Sequence, residues 1–231
     1  MAFLAALVSV LPGVLWLVLF YRSDRFDPEP KRLVARTFLV GALVGAAMAL
    51  VYTGLPFVNS TLIAAVFIAP LVEEPAKFLC VRWTVYHRPE FNEPMDGMVY
   101  AAAAALGFAS VENIAYVLTE WYYGGAFSGT LVLLGRAILS VPAHALFSSF
   151  WGLALGWSKG EGHARQVARV GLGLLAAMVL HGVYNWLSDE HVLGGLGFLA
   201  VVAVAWRMVY LMMRKALDAS PFTGEQEAQG K

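Results

Sequence analysis

Long apolar runs separated by short polar segments constrain the fold of this 231-residue chain more than any other feature. Hydrophobic residues make up 59% of the chain and charged residues only 14%, whereas soluble domains are about half apolar and a quarter charged. A run of about 20 apolar residues is long enough to cross a bilayer as an α-helix. The sequence therefore predicts an all-α, polytopic transmembrane helix bundle and argues against an ordinary soluble domain.

Seven runs have the length and composition of membrane spans. The third, fourth and fifth are long for a single crossing, which predicts tilts or kinks there. We expect one transmembrane helical domain over residues 1–217, followed by a polar tail, residues 218–231, that is disordered. The predicted spans are Phe3–Tyr21, Ala35–Thr53, Ser60–Tyr86, Met95–Leu118, Leu131–Trp157, Val167–Leu187 and Leu193–Met213.

The charges in the connecting loops predict how the bundle is oriented. The alternate loops Gly54–Asn59, Thr119–Thr130 and Ser188–Val192 contain no Lys or Arg. Loops rich in Lys and Arg face the cytoplasm, so we expect the N-terminus outside and the C-terminus in the cytoplasm. An eighth span or a re-entrant element would reverse this parity. The basic loop residues are Arg22, Arg25, Lys31, Arg32, Arg36, Arg82, Arg88, Lys159, Arg165, Arg169, Arg214 and Lys215.

Two adjacent glutamates, Glu73 and Glu74, lie inside the third predicted span, one turn before Lys77. An ionisable side chain at membrane depth is costly, and it is a functional-site hypothesis by default. Burial disfavours the charged form of a carboxylate, and a second carboxylate beside it disfavours that form further. Such an environment suits a general base. We expect Lys77 to keep one of the two glutamates ionised while the other exchanges a proton.

Further polar groups lie in three other predicted spans. Glu112 is deep in the fourth span and His144 is in the fifth. His181 and Asn185 are one turn apart in the sixth. Glutamate and histidine are ligands of catalytic zinc, and an asparagine can donate a hydrogen bond to a developing oxyanion. Together these groups predict a hydrolytic site, although a buried ion cluster or single interhelical hydrogen bonds would also explain them one by one.

Other residues have simpler explanations. We expect Asp96 to cap a helix at the membrane interface, and Arg136 to reach the interface or pair with a carboxylate. Small residues such as Gly41 and Gly152 favour close helix packing. The chain has no His-Glu-x-x-His run, no Gly-x-Ser-x-Gly run and no phosphate-binding glycine loop. A single cysteine excludes a multi-cysteine metal site, and no basic-aromatic surface indicates nucleic-acid binding.

The polar motifs, taken in order, resemble those of the PrsW-type intramembrane proteases, a branch of the superfamily that includes the CAAX prenyl endopeptidases. Each motif is short, but their order on separate helices is specific and covers most of the chain. The matching stretches are Asp27-Pro-Glu-Pro30, Glu73-Glu74-x-x-Lys77, Asp96-Gly97, Phe108-x-x-x-Glu112-Asn113, His144 and His181-x-x-x-Asn185.

The resemblance implies hydrolysis of a peptide bond at or within the membrane. The expected substrate is a membrane protein or peptide, for example a membrane-anchored regulator, and the expected location is the cytoplasmic membrane of a bacterium or archaeon. A glutamate of the pair would activate the water, and a divalent metal, with zinc the expected ion, would assist it. A metal-free glutamate mechanism is the alternative. The implied catalytic groups are Glu73, Glu74, Lys77 and Asn185, and the implied metal ligands are Glu112, His144 and His181.

Two other classes of function fit the same residues. Acids and histidines inside a membrane also form proton relays, so a proton-coupled transporter or channel is the main alternative. That class predicts inverted internal repeats, and no convincing repeat is visible in the sequence. A non-catalytic membrane scaffold is the third reading, but the full set of reactive side chains argues against it.

Overall fold

The computed structural model of the chain describes residues 2–54, 61–188 and 195–223, and over these ranges it is helical without a β-strand. A π-helical turn, Ala64–Ile68, leads directly into the third α-helix. The helices are α1 (Ala2–Ser23), α2 (Lys31–Gly54), α3 (Ala69–Thr84), α4 (Pro94–Ile138), α5 (Ser140–Trp157), α6 (His163–Ser188) and α7 (Gly195–Asp218).

Four helical stretches of the described residues are long and apolar enough to cross a membrane, which makes the chain an integral membrane protein. Helix α3 is not among them, because it has only 16 residues and includes several charged side chains. The predicted count of seven spans and their orientation therefore stay predictions. The four stretches are Ala2–Ser23, Lys31–Gly54, Pro94–Trp157 and His163–Ser188.

The segment Thr119–Thr130, predicted as a loop, is helical on both sides of a break at Gly125. This glycine has φ 84° and ψ 175°, a backbone conformation that residues with a Cβ rarely adopt. Nε of Arg136 donates to Oδ1 of Asn113 at 3.1 Å, although 23 residues of straight helix would span about 35 Å. The chain therefore folds back at Gly125, and the fifth predicted span is divided between the end of α4 and α5.

The first part of α4 is the centre of the bundle. Every residue from Met95 to Ser110 is buried, and the neighbouring helices α1, α2 and α5 pack around it. A Cβ added to Gly41 would lie 2.1 Å from the carbonyl oxygen of Ala104, and one added to Gly152 would lie 2.5 Å from that of Gly97. The prediction that small residues form the packing faces is confirmed at these positions.

The C-terminal end of α7 returns to the start of α4. The helix ends at Asp218, and the buried hydroxyl of Ser220 donates a hydrogen bond to Oε2 of Glu93. The described part of the chain ends at residue 223. Most of the predicted tail, and most of the predicted loops Gly54–Asn59 and Ser188–Val192, lie outside the described residues.

Candidate active site

Four helices bring the predicted polar residues to one place inside the bundle. Helix α3 contributes Glu73, Glu74 and Lys77, all buried. Helices α5 and α6 contribute one buried histidine each, His144 and His181, whose ring centroids are 5.1 Å apart. Glu112 of α4 completes the group and is the most open member, with 27% of its side chain exposed.

The π-helical turn before α3 explains the position of Asn185. The N–H of Ala69 donates to the carbonyl of Ala64, an i to i+5 bond that is typical of a π-helix. The next carbonyl, that of Ala65, would need a donor from residue 70, which is Pro70 and has no N–H. Nδ2 of Asn185 donates to this carbonyl at 2.8 Å. The amide of Asn185 therefore satisfies an orphan backbone acceptor and holds α6 against the start of α3.

Glu74 is saturated with hydrogen-bond donors. Its Oε1 accepts from Nζ of Lys77 at 2.8 Å and lies 3.1 Å from Nδ1 of His181. Its Oε2 accepts from Oγ of Ser148 at 2.8 Å and from Nε1 of Trp151 at 3.1 Å. A carboxylate has about four lone-pair positions, so Glu74 has little capacity left to bind a water or accept a proton.

Glu73 is held much more loosely than its neighbour. Its Oε1 accepts from the hydroxyl of Tyr52 at 3.3 Å. Its Oε2 lies 3.4 Å from Nζ of Lys77 and 4.0 Å from Nε2 of His181. Since these contacts are at or beyond the long end of the hydrogen-bond range, Glu73 keeps acceptor capacity on the side that faces the histidines.

Lys77 is a fully buried cation at the centre of the group. Besides its contacts with the two glutamates, its Nζ lies 3.0 Å from Nδ1 of His144 and 4.5 Å from the centroid of the Phe108 ring. A buried charge is tolerated where it is paired and hydrogen-bonded. Lys77 therefore ties α3 to α4 and α5.

The partners of each histidine define its tautomer when the ring is neutral. An ammonium group only donates, so Nδ1 of His144 accepts from Lys77. The proton of the neutral ring is then on Nε2, which lies 2.9 Å from Oε2 of Glu112. For His181 the carboxylate of Glu74 accepts from Nδ1. Nε2 of His181 is then an unprotonated acceptor that points toward Glu73.

Glu112 and Arg136 form the more exposed edge of the site. Nη2 of Arg136 lies 3.2 Å from Oε2 of Glu112, so the prediction that this arginine pairs with a carboxylate is confirmed. Its guanidinium also lies 4.0 Å from the centroid of the Tyr116 ring. The fold-back at Gly125 makes this contact possible, because both residues belong to α4.

The structure brings together a different set of potential metal ligands from the one expected. Ligand atoms of Glu73, His144 and His181 lie within 4.8 Å of one another. Glu112 is not part of this set; it lies beyond His144 and pairs with Arg136. One carboxylate and two imidazoles are a donor set that zinc accepts, so these residues fit a divalent metal, although an ion bound through Nδ1 of His144 would replace the contact of that atom with Lys77.

Three residues that contact the glutamate pair were not singled out as site residues. Ser148 is one turn after His144, and this spacing was a usable signal. Trp151 and Tyr52 had no such signal, because an apolar or amphipathic residue in a membrane helix is usually a packing residue. Their donors reach Glu74 and Glu73 only through contacts between helices that are far apart in sequence.

The structure therefore defines an integral membrane protein whose helix bundle encloses an acid pair and two histidines from separate helices. The family model described as PrsW family intramembrane metalloprotease matches residues 29–213, and the chain belongs to this family. The match contains all the site residues described above and supports a protease role.

Several curated bacterial relatives are each named Protease PrsW. The one from Geobacillus kaustophilus is 38% identical over 182 residues, which cover 78% of this chain and 77% of the relative. The one from Clostridioides difficile is 29% identical over 229 residues, covering 94% and 92%. The Bacillus subtilis protein is 29% identical over 182 residues, covering 78% and 80%. No solved structure matches the chain.

Proposed function

We propose that this protein is an intramembrane endopeptidase in which Glu73 activates the attacking water. The observation that carries the proposal is the facing pair of acceptors, Oε2 of Glu73 and Nε2 of His181, at 4.0 Å. Two hydrogen bonds of about 2.8 Å that meet at roughly 90° span this distance, so one water can donate to both atoms. Glu74, with its four donors, is a positioning residue that orients His181 and Lys77.

The cleavage reaction needs a base, an acid and a stabilised oxyanion. Glu73 takes the proton from the water as it attacks the scissile carbonyl, and then passes this proton to the leaving amine. The donors nearest the more exposed edge are Nε2 of His144 and Nη2 of Arg136, which lie 2.9 and 3.2 Å from Oε2 of Glu112. They stabilise the developing oxyanion once a substrate carbonyl displaces Glu112. Asn185 is engaged with a backbone carbonyl, so its role is to position α6.

A divalent metal, which the family description implies, would be held by Glu73, His144 and His181, with zinc the expected ion. Nε2 of His181 would then bind the metal instead of accepting a hydrogen bond from the water, because Nδ1 is engaged with Glu74. When bound there, a metal makes its water more acidic and polarises the substrate carbonyl. The second carboxylate, Glu74, already binds Nδ1 of His181, and such an outer partner is typical for a metal-bound histidine because it orients the ring and raises its basicity.

The topology proposed with this function has seven spans, the N-terminus outside and the C-terminus in the cytoplasm. The alternation of Lys- and Arg-rich loops along the chain supports it. Substrates are then membrane-associated proteins or peptides in the cytoplasmic membrane of a bacterium, and the bilayer is the medium in which they reach the site. Residues 1–217 act as one transmembrane domain.

The test is cleavage of a panel of single-span reporter proteins that carry an epitope at each end. The wild-type chain and the Glu73→Gln variant are co-expressed with the panel, and blots of both epitopes reveal shortened fragments. The wild type should cleave at least one reporter and Glu73→Gln none. Glu161→Gln, in the loop between α5 and α6, is the matched control and should retain cleavage. Cleavage by a Glu73→Gln variant at wild-type rate would refute Glu73 as the base.

A further inference from the structure

A second group of buried acids lies at the start of α4, away from Glu112. Asp24 and Glu29 come from the segment between α1 and α2, while Glu93 and Asp96 begin α4. Each is 3% exposed or less, and ligand atoms of Asp24, Glu93 and Asp96 lie within 4.8 Å of one another. The 16 residues from Asp96 to Glu112 correspond to about 24 Å of helix, so this group is separate from the protease site.

In each of these four carboxylates a hydrogen-bond donor fixes one oxygen. The donors come from the backbone and from two hydroxyl groups on other parts of the chain. The bonds are Glu29 N to Asp24 Oδ2 at 3.3 Å, Tyr100 Oη to Glu29 Oε2 at 2.5 Å, Ser220 Oγ to Glu93 Oε2, and the N–H groups of Asn92 and Glu93 to Asp96 Oδ2 at 2.6 and 2.7 Å.

The other oxygen of each carboxylate is buried and has no hydrogen-bond partner: Asp24 Oδ1, Glu29 Oε1, Glu93 Oε1 and Asp96 Oδ1. No Lys or Arg within the described ranges forms an ion pair with any of the four. A helix cap explains only Oδ2 of Asp96 and leaves its Oδ1 unexplained. Four unpaired buried oxygens in one cluster are costly unless a bound cation or protons neutralise the carboxylates.

The charged side chains around the cluster also favour a bound cation. Lys159 interacts electrostatically with Asp96 and Glu29, but its ammonium group donates to the backbone carbonyls of Arg88 and Phe91 rather than to a carboxylate. The described part of the chain therefore gives these carboxylates no direct ion-pair partner.

We propose that Asp24, Glu29, Glu93 and Asp96 form a binding site for a hard divalent cation, Ca²⁺ or Mg²⁺. Both ions take oxygen ligands, and Ca²⁺ in particular accepts several carboxylates at once. The donors are all oxygens, whereas zinc sites are built mostly from nitrogen and sulfur. Each carboxylate has one oxygen fixed by a donor and the other free, an arrangement in which outer partners orient the ligands.

A surface pocket gives an ion access to the cluster. It has a volume of about 380 Å³, and Glu29 and Asn92 line it together with Asp27, Pro28, Pro30, Pro89 and Glu90. The additional carboxylates of Asp27 and Glu90 raise the local concentration of cations at the opening. Glu29 belongs to both the pocket and the acid cluster, so it connects the surface to the proposed site.

The ion would join three parts of the chain that are distant in sequence. Its ligands come from the end of α1 and from the start of α4, and Ser220 after α7 holds the ligand Glu93. Binding should therefore stabilise the folded bundle. At a free ion concentration of about 100 times the dissociation constant, the expected rise in Tm is roughly 5–10 °C.

The experiment uses the full chain, purified in detergent and stripped with EDTA. Its Tm is measured against Ca²⁺ and Mg²⁺ titrations, and binding of Tb³⁺, a luminescent substitute for Ca²⁺, is followed by emission sensitised through Tyr100. The wild type should gain several degrees with at least one ion and show Tb³⁺ emission that this ion displaces. Asp24→Asn/Glu93→Gln should lose both responses, while the control Glu161→Gln/Asp218→Asn should keep them.

Two further variants keep the result interpretable. His144→Ala/His181→Ala removes the imidazole ligands of the protease site and should leave Tb³⁺ emission intact, which distinguishes the two sites. Tyr100→Phe removes the sensitiser without removing a ligand, so its Tb³⁺ emission should fall sharply. This variant still tests whether Tb³⁺ binds beside Tyr100 if Asp24→Asn/Glu93→Gln does not fold. If neither ion shifts the wild-type Tm and no Tb³⁺ emission appears, the proposal is overturned, and protons rather than a cation neutralise the acids.

Discussion

Glutamine in place of Glu74 should destabilise the bundle strongly, whereas glutamine in place of Glu73 should leave it folded. The two oxygens of Glu74 contact four donors, including the buried ammonium of Lys77 at 2.8 Å. The amide of glutamine has one acceptor oxygen and one donor group. In Glu74→Gln some of the four donors therefore lose their acceptor, and Lys77 loses a charge partner. Removing one partner of a buried ion pair costs about 3–5 kcal/mol.

The contacts of Glu73 predict a much smaller loss. Its distances to Lys77 and Tyr52 are 3.4 and 3.3 Å, and the oxygen of a glutamine can keep the bond from the tyrosine hydroxyl. The loss of one typical hydrogen bond is about 1 kcal/mol. At about 2–4 °C per kcal/mol for a chain of this size, Tm should fall by roughly 6–20 °C for Glu74→Gln and by about 4 °C or less for Glu73→Gln.

Thermal unfolding of the two variants in detergent, together with reporter cleavage, distinguishes their roles. Both variants should be inactive, but only Glu74→Gln should also be unstable. Ser148→Ala removes one of the four donors to Glu74 and should give an intermediate Tm with partial activity. Equal losses of Tm in Glu73→Gln and Glu74→Gln, or a stable and active Glu74→Gln variant, would refute the division of roles between the two glutamates.

Three further outcomes test the site and the packing. Asn185→Ala should lower the free energy of unfolding by about 1–3 kcal/mol. The loss should be smaller in a Pro70→Ala background, where residue 70 regains an N–H that can reach the carbonyl of Ala65. Equal losses in both backgrounds would show that Asn185 does not replace a missing donor to this carbonyl. Elemental analysis of the purified wild type should find about one zinc per chain and His181→Ala should lose it; equal metal content in both would exclude this ligand. Gly97→Leu should prevent accumulation of folded protein in an expression assay, because even a Cβ at this position would lie 2.0 Å from the carbonyl oxygen of Gly152. Gly135→Leu is the control and should be tolerated, because a Cβ at this position would have no neighbouring atom within 4 Å.

The helical class, and Glu73, His144 and His181 as members of one candidate site, could be predicted because they depend on local composition and spacing. Membrane-length apolar runs predict helices, and charged or imidazole side chains inside them stand out against that background. Which of the two glutamates is the proposed base could not be predicted, because the proposal of Glu73 depends on donors that reach Glu74 from another helix.

Two other features depend on backbone geometry that spacing does not reveal. The reversal at Gly125 needs a single residue with positive φ, and a Gly-Gly pair in a helical stretch does not show which residue takes it. The acid cluster includes Asp24 and Glu29, which are ordinary residues for a loop until the fold buries them beside Glu93 and Asp96. In both cases the decisive interaction joins parts of the chain that sequence patterns treat separately.

The enclosure of α4 has a consequence for how the protein is assembled in its membrane. Between Met95 and Ser110 no residue is exposed, so lipid acyl chains do not contact this segment in the folded protein. During synthesis this segment is made before α5, which is later in the chain and covers it in the folded protein. The protein should therefore pass through a stage in which a helix rich in alanine is held by α1 and α2 alone. Substitutions on the glycine faces of those two helices should affect insertion before they affect catalysis.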